Sequence, residues 1–282
     1  MNTVHSIADV REYVRASRAA GKRVAFVPTM GNLHKGHLTL VHKAREHADV
    51  VIVSIYVNPL QFGAGEDLES YPRTLAEDQA QLKDENVDLL FAPSSNEIYP
   101  EGMEHHTTVS VECLSNMHCG KSRPGHFAGV ATIVCKLFNI VHPDVAVFGV
   151  KDFQQLAVIR QMVNDLYMPV KVIGADIARD SRGLALSSRN GYLTDAELDI
   201  APSLYRVLRE AREQILQGMN YDLILRDALA KLAQAGLKPD YIDICSQHSL
   251  QPANAQDKEL VILAAAYLGR ARLIDNVTLT LP

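Results

Sequence analysis

His34 and His37 stand three residues apart in the run Pro28-Thr29-Met30-Gly31-Asn32-Leu33-His34-Lys35-Gly36-His37. At helical spacing two such side chains share a face. The apolar run Val24-Ala25-Phe26-Val27 precedes them, and a helix-like stretch from Leu38 to Ala48 follows. The order is therefore strand, glycine-containing loop, helix. The first amides of a helix have no internal partner, and the helix dipole is positive at that end. Imidazole N–H groups added there make a site suited to phosphate. Two other uses stay open: the histidines only cap the helix, or they bind a metal. No HExxH pattern or cysteine lies nearby to favour the metal.

A second cationic and hydroxylic run, Ala185-Leu186-Ser187-Ser188-Arg189-Asn190, lies far downstream. Alone it reads equally as a surface loop, and Asn190-Gly191 as a plain turn. Paired with the histidines, it supplies a second clamp for phosphate and points to nucleotide chemistry at an α-phosphate.

The run Phe148-Gly149-Val150-Lys151-Asp152-Phe153-Gln154-Gln155 closes a strand and opens a helix. Parallel sheets bind ligands at the carboxyl ends of their strands. Lys151 offers a mobile cation there, and Gln155 both a donor and an acceptor. Asp152 serves as a helix cap or as a base. Gln61, in Asn58-Pro59-Leu60-Gln61-Phe62, also follows a strand, either as a ligand group or as loop packing. The histidines and cysteines between His105 and His126 match no usual zinc spacing.

These groups need a frame. Apolar runs predict strands at Val24–Pro28, Val50–Val57, Val87–Phe91, Val145–Phe148 and Val170–Ile173, with Thr107–Val111 extended. Helices are expected at Ser6–Ala20, His37–Ala48, Thr74–Glu85 and His126–Val141, with another opening at Asp152. Ser6 is the expected cap of the first, and Thr74-x-x-Glu77 reads as a capping box. Such alternation predicts a parallel sheet covered on both faces. After about Asp176 the pattern changes to helices at Asp195–Gln217 and Tyr221–Ala235. Strands follow at Tyr241–Cys245, Leu260–Ala266 and Ala271–Val277, an α+β arrangement. The long loop Asn58–Tyr71 is placed to cover a site.

The chain has 282 residues, enough for two domains. A formal charge of −5 argues against a general nucleic-acid binder, which would show a basic stripe. It permits a local cationic pocket for anions. The longest apolar run, Leu260–Leu268, falls short of the roughly 20 residues of a membrane span. Met1–Arg11 has no apolar core of a signal peptide, and the four cysteines form no CxxC pair. A cytoplasmic protein with reduced thiols is expected.

The runs Pro28–His37, Asn58–Phe62, Tyr71–Thr74, Arg123–Val130, Phe148–Gln155 and Gly183–Asn190 together resemble the pantoate–β-alanine ligase (pantothenate synthetase) family. HxGH alone marks a broad nucleotidyltransferase superfamily that includes class I aminoacyl-tRNA synthetases. Combined with KDxQQ and SSRN it is far more specific. The resemblance implies a Rossmann-like parallel-sheet N-terminal domain, 1–176, that binds nucleotide and pantoate. It implies a smaller α+β lid domain, 177–282, and a cytoplasmic homodimer. The implied reaction joins (R)-pantoate to β-alanine at the expense of ATP with Mg²⁺, through pantoyl adenylate, releasing AMP and pyrophosphate.

Carried onto this sequence, the resemblance implies catalytic roles for His34, His37, Lys151 and Arg189. ATP contacts would come from Met30, His34, His37, Gly149, Lys151, Asp152, Leu186, Ser187, Ser188 and Arg189. Pantoate contacts would come from Met30, Gln61 and Gln155. No protein ligand to the metal is expected, because ATP phosphates would carry Mg²⁺. Nucleic acid and membrane are not expected partners. Two positions depart from the family pattern: Arg182, where an acidic residue is common, and Leu186, where methionine is common. Competing readings are another HxGH nucleotidyltransferase that keeps adenylyl in its product, a nucleotide-binding regulator, and a metal-dependent hydrolase.

Overall fold

The computed structural model describes residues 1–63 and 65–282; Ala64, within the expected Asn58–Tyr71 loop, lies outside the described residues. Two compact units emerge. The first comprises Met1–Val150 and Gln155–Asp176, the second Lys151–Gln154 and Ile177–Pro282.

In the first unit the strands are β1 (Asn2–Val4), β2 (Val24–Thr29), β3 (Val50–Ile55), β4 (Leu89–Phe91), β5 (Val145–Gly149) and β6 (Lys171–Ala175). The helices are α1 (Ile7–Ala19), α2 (Lys35–Arg45), α3 (Leu75–Asp84), the short α4 (Ser95–Ile98), α5 (Glu112–Ser115) and α6 (Cys119–Ser122), then α7 (His126–Val141) and α8 (Phe153–Asp165). The strands form one parallel sheet in the order β1-β4-β3-β2-β5-β6. Alternate residues of a strand face opposite ways. On β2, Ala25 and Val27 therefore join Leu40 and Val41 of α2 and Leu82 of α3 in one core cluster. Phe26 faces the other way and meets Phe138 of α7 edge-on, with ring centroids 6.5 Å apart. Helices thus cover both faces, which is why β2, β3 and β5 read as unbroken apolar runs.

The second unit holds α9 (Asp195–Ile200), α10 (Ser203–Leu216) and α11 (Tyr221–Gln234), followed by β7 (Lys238–Ser246), β8 (Glu259–Leu268) and β9 (Ala271–Thr280). The strands pair antiparallel in chain order. Val207, Leu208 and Ala211 of α10 and Ile224, Ala228 and Leu232 of α11 pack with Ile242, Ile262 and Leu273 of the sheet. This is the expected α+β arrangement. No helix among the described residues is long and apolar enough to cross a membrane.

Several local expectations change. The strand expected through Val57 stops at Ile55, and α2 starts at Lys35 and ends at Arg45, with His34 as its N-cap. Thr74 makes no capping bond: its hydroxyl donates instead to Asp78, at 3.3 Å, so the anticipated box with Glu77 does not form. Capping boxes form instead at His34 and His37, ahead of α2, and at Thr194 and Glu197, ahead of α9. The helix expected over Asp195–Gln217 is divided between α9 and α10 at Pro202, which lacks the N–H that a continuous helix requires. Thr107–Val111 joins no strand; the Val109 amide is satisfied by the Thr132 hydroxyl at 2.9 Å. Asn190 and Gly191 lie within a 3₁₀ turn, Ser188–Tyr192.

Candidate active site

Three adjacent strands of the first unit, β3, β2 and β5, deliver polar groups at their carboxyl ends. After β2 the chain turns through Gly31 (φ +80°) and Asn32 (φ +49°) into His34. The His34 Nδ1 accepts the Gly36 N–H at 3.1 Å, and the His37 Nδ1 accepts the His34 N–H at 3.3 Å. The capping use of the histidines is therefore real. It also fixes the tautomer, because an Nδ1 that accepts leaves the proton of a neutral ring on Nε2. The two rings lie together, centroids 4.1 Å apart. Capping and ligand recognition are compatible: the cap orients the pair, and each Nε2–H faces away from the nitrogen that caps.

The turn before them is held from below. Asp78, on α3 and 1% exposed, accepts the Asn32 N–H at 2.9 Å and the Leu33 N–H at 2.7 Å. A Cβ on Gly31 would stand 3.0 Å from the Asp78 carboxylate, so glycine allows both the turn and the anchor.

After β3, the 3₁₀ turn Pro59–Gln61 carries Gln61, which is buried. The Gln61 Nε2 donates to the Met30 Sδ at 3.0 Å, joining two of the expected pantoate contacts. The Gln61 carbonyl accepts from His126 Nδ1 at 2.7 Å and from Arg123 at 3.3 Å. The neighbouring Asn58 donates to the Gly129 carbonyl at 3.2 Å and accepts from the Tyr99 hydroxyl at 3.0 Å. Burial, and then the nearby Tyr56, push the Tyr99 phenol above its ordinary range, so it remains a donor. Arg123 also grips Glu66 through two bonds of 2.6 Å. Burial raises the Glu66 carboxyl, but the Arg123 hydrogen bonds and charge, with lesser help from Gly63 and His126, outweigh it and hold the group below its usual value. After β5, Gln155 stands partly exposed in the first turn of α8. The space beside Gly149 where a Cβ would stand is open.

The second unit contributes its own cluster. Arg179 and Ala185 bridge a hairpin, closed by Asp180 accepting the Arg182 and Leu184 amides, both at 2.9 Å. Partial desolvation raises the Asp180 carboxyl, but these amides and Arg182 together bring it below its ordinary value. The departure at position 182 is thus accommodated: Arg182 pairs with Asp180 at 3.4 Å and with Asp199 at 2.8 Å. Ser187 follows the hairpin and caps the 3₁₀ turn by accepting the Arg189 N–H at 3.3 Å. Leu186, Ser187, Ser188 and Arg189 are all partly exposed. Lys151 and Ser187 line one small cleft with Asp275. The Lys151 ammonium is 4.0 Å from Asp152, which ends the 3₁₀ turn before α8.

Asn58, Asp78, Asp275 and Asn276 were not anticipated as part of these clusters. Asn58 adjoins Gln61 in a run already singled out. The other three carry no local signal of these roles, since the Leu33 amide, Arg179 and the Lys151 carbonyl that they hold are distant in the chain.

A parallel sheet with an HxGH helix start after a central strand, joined to an α+β unit bearing a Ser-Ser-Arg segment, defines the class: an α/β enzyme of the HxGH nucleotidyltransferase type. A family model described as Pantoate-beta-alanine ligase matches residues 2–278. Pantothenate synthetase of Marinobacter nauticus is 54% identical over 281 residues, covering 99% of this chain and 100% of the relative. That of Pseudomonas fluorescens is 55% identical over 282 residues, covering 100% and 99%. The crystal structure of pantothenate synthetase from Thermus thermophilus matches with a TM-score of 0.91 at 46% identity, covering 98% of this chain and 99% of that one. That of pantoate-beta-alanine ligase from Francisella tularensis, complexed with beta-gamma ATP and beta-alanine, matches with a TM-score of 0.83 at 37% identity, over 98% and 97%. This chain belongs to the pantoate–β-alanine ligase family. It is a carbon–nitrogen ligase that condenses pantoate with β-alanine.

Proposed function

We propose that the condensation proceeds in two steps, with ATP as the activating substrate. A carboxylate is a poor acyl donor to an amine because its leaving group would be oxide. The pantoate carboxylate oxygen attacks the α-phosphorus, the bond to the bridging oxygen breaks, and pyrophosphate leaves. The β-alanine amine then attacks the acyl carbon of pantoyl adenylate. AMP departs, the amine loses its proton, and pantothenate remains. No covalent bond to the protein is required, so catalysis rests on positioning and charge stabilisation.

The observation that carries this reading is the capped pair His34–His37 at the start of α2, whose Nδ1 atoms are occupied by backbone amides. The Nε2–H groups, at the positive end of the helix dipole, suit anionic phosphate oxygens. Lys151, Ser187, Ser188 and Arg189 supply further donors to the phosphates. Met30, Gly149, Asp152 and Leu186 contact the nucleotide. Gln61 and Gln155, with Met30, hold pantoate by neutral hydrogen bonding. The share of His34, His37, Lys151 and Arg189 is to stabilise charge as the α-phosphate reacts.

Mg²⁺ enters on the nucleotide as part of the substrate. Phosphate oxygens with water suit its octahedral demand. An acyl adenylate hydrolyses readily, so water must be excluded; that task falls to the unit formed mainly by 177–282, acting as a lid to the domain of 1–176. The same reading includes a cytoplasmic homodimer. Its experiment is pantoate-dependent exchange of labelled pyrophosphate into ATP without β-alanine. Exchange that needs pantoate supports the adenylate; no exchange, and no AMP when β-alanine is added, rejects it.

A further inference from the structure

Asn276 lies in the middle of β9 and is 3% exposed. A buried amide is costly unless its hydrogen bonds are made. Its Nδ2 donates to the backbone carbonyl of Lys151 at 3.0 Å, although the two residues are 125 positions apart. The preceding residue, Asp275, is 4% exposed and pairs with both terminal nitrogens of Arg179, at 2.6 and 2.8 Å. Arg179 also donates to the Gly183 carbonyl at 3.0 Å and lies over the Tyr205 ring, 3.5 Å from its centroid. Asp275 in turn accepts the Asn276 N–H at 2.8 Å.

Neighbouring residues on a strand point to opposite sides. One dipeptide of β9 therefore reaches two partners: Asn276 holds the backbone of Lys151, and Asp275 holds the root of the hairpin that leads into Ser187, Ser188 and Arg189. The strand itself is clamped, since β9 pairs with β8 along its whole length. Rigid strands place attached groups more closely than loops do. A bidentate Arg–carboxylate pair stacked on an aromatic ring adds a fixed geometry, not only charge.

From this we infer that Asn276 is a positioning residue, with Asp275, that sets Lys151 and the Ser187–Arg189 segment at the spacing a nucleotide phosphate chain requires. Neither side chain need touch the substrate. The inference rests on the ATP assignment above, and it predicts coupling between Asn276 and Lys151.

The test is a double-mutant cycle read by calorimetric affinity for a non-hydrolysable β,γ-methylene ATP with Mg²⁺, using the full chain. Asn276→Ala should weaken the analogue about 10-fold in the wild-type background and less than about 2-fold in the Lys151→Ala background. Pantoate affinity should stay unchanged in both. Asn276→Ser serves the same cycle if Asn276→Ala fails to fold. Wild-type affinity in Asn276→Ala, or equal weakening in both backgrounds, overturns the inference while leaving the ligase reading intact. Failure of the wild-type protein itself to bind the analogue overturns the nucleotide assignment, and the inference with it.

Discussion

The carboxylate of Asp78 accepts the Leu33 amide at 2.7 Å, one residue before the histidine pair. A side chain on α3 thereby dictates how β2 turns into α2. Its second oxygen takes the Asn32 amide at 2.9 Å. Removing the carboxylate would strand two amides in the interior, each costing about 1–3 kcal/mol. Asp78→Ala is expected to lose about 2–4 kcal/mol of stability in urea unfolding and to slow pyrophosphate exchange as the histidines lose their fixed approach. Asp78→Asn, which keeps an acceptor for one amide, should fall between. An Asp78→Ala protein with unchanged unfolding midpoint would show that the loop holds its turn unaided.

Glu66 gives a pH-dependent expectation. Its folded carboxyl titrates below its ordinary value of 4.5, because Arg123 outweighs the effect of burial. A depressed carboxyl contributes stability that is full above its unfolded value and lost as the pH falls through the folded one. The gap in unfolding midpoint between the wild-type protein and Glu66→Gln should be largest near neutral pH and shrink below about pH 4.5. A gap that is constant down to about pH 3.5 would contradict the ion-pair account. Since Arg123 also holds the Gln61 carbonyl, Glu66→Gln is further expected to raise the KM for pantoate.

How far the sequence discloses this architecture depends on how local each cause is. Helix α7 is found over His126–Val141, as its apolar run indicates. The buried strands are equally legible, differing only at their ends. Strand β1 is not: it has three residues, and it exists because Asn2, Thr3 and Val4 pair with Leu89, Leu90 and Phe91. Pro202 is a legible break that the periodicity of the flanking helices conceals. The Thr74 box fails because Thr74 and Glu77 satisfy the pattern while Asp78, one residue on, takes the threonine hydroxyl. Asp78, Asp275 and Asn276 show the deeper limit. Their meaning lies in partners 45, 96 and 125 positions away, which spacing along a chain does not encode.

Gly129 is the point where α7 meets the turn carrying Gln61. A Cβ there would stand 2.3 Å from the Leu60 carbonyl oxygen and 2.8 Å from the Gln61 nitrogen, both backbone atoms that cannot rotate aside. Gly129→Ala must push the turn away, an overpacking cost of about 1–3 kcal/mol that exceeds the gain in helix propensity. The displaced Gln61 should then bind pantoate more weakly while ATP affinity is little changed. Thermal unfolding and the two KM values check this together. A stabilised Gly129→Ala with normal pantoate KM would mean that the helix and turn separate without cost.

The sharpest division of labour is expected between cations and amides. Lys151 and His37 are assigned to groups whose negative charge grows as pyrophosphate leaves, and such interactions act in the transition state more than in the ground state. Lys151→Ala and His37→Ala should each reduce single-turnover formation of pantoyl adenylate by at least about 100-fold, roughly 2.7 kcal/mol of barrier. Gln155 is neutral and is assigned to pantoate, whose bonds to it differ little between ground and transition states. Its loss should raise the pantoate KM and leave the rate at saturating pantoate within a few-fold. Rapid-quench measurement of AMP transfer at varied pantoate separates the two patterns. A Lys151→Ala protein that is folded and adenylates pantoate at the wild-type rate would remove the lysine from the chemistry. A Gln155→Ala protein with reduced saturating rate and normal pantoate KM would move the glutamine into it.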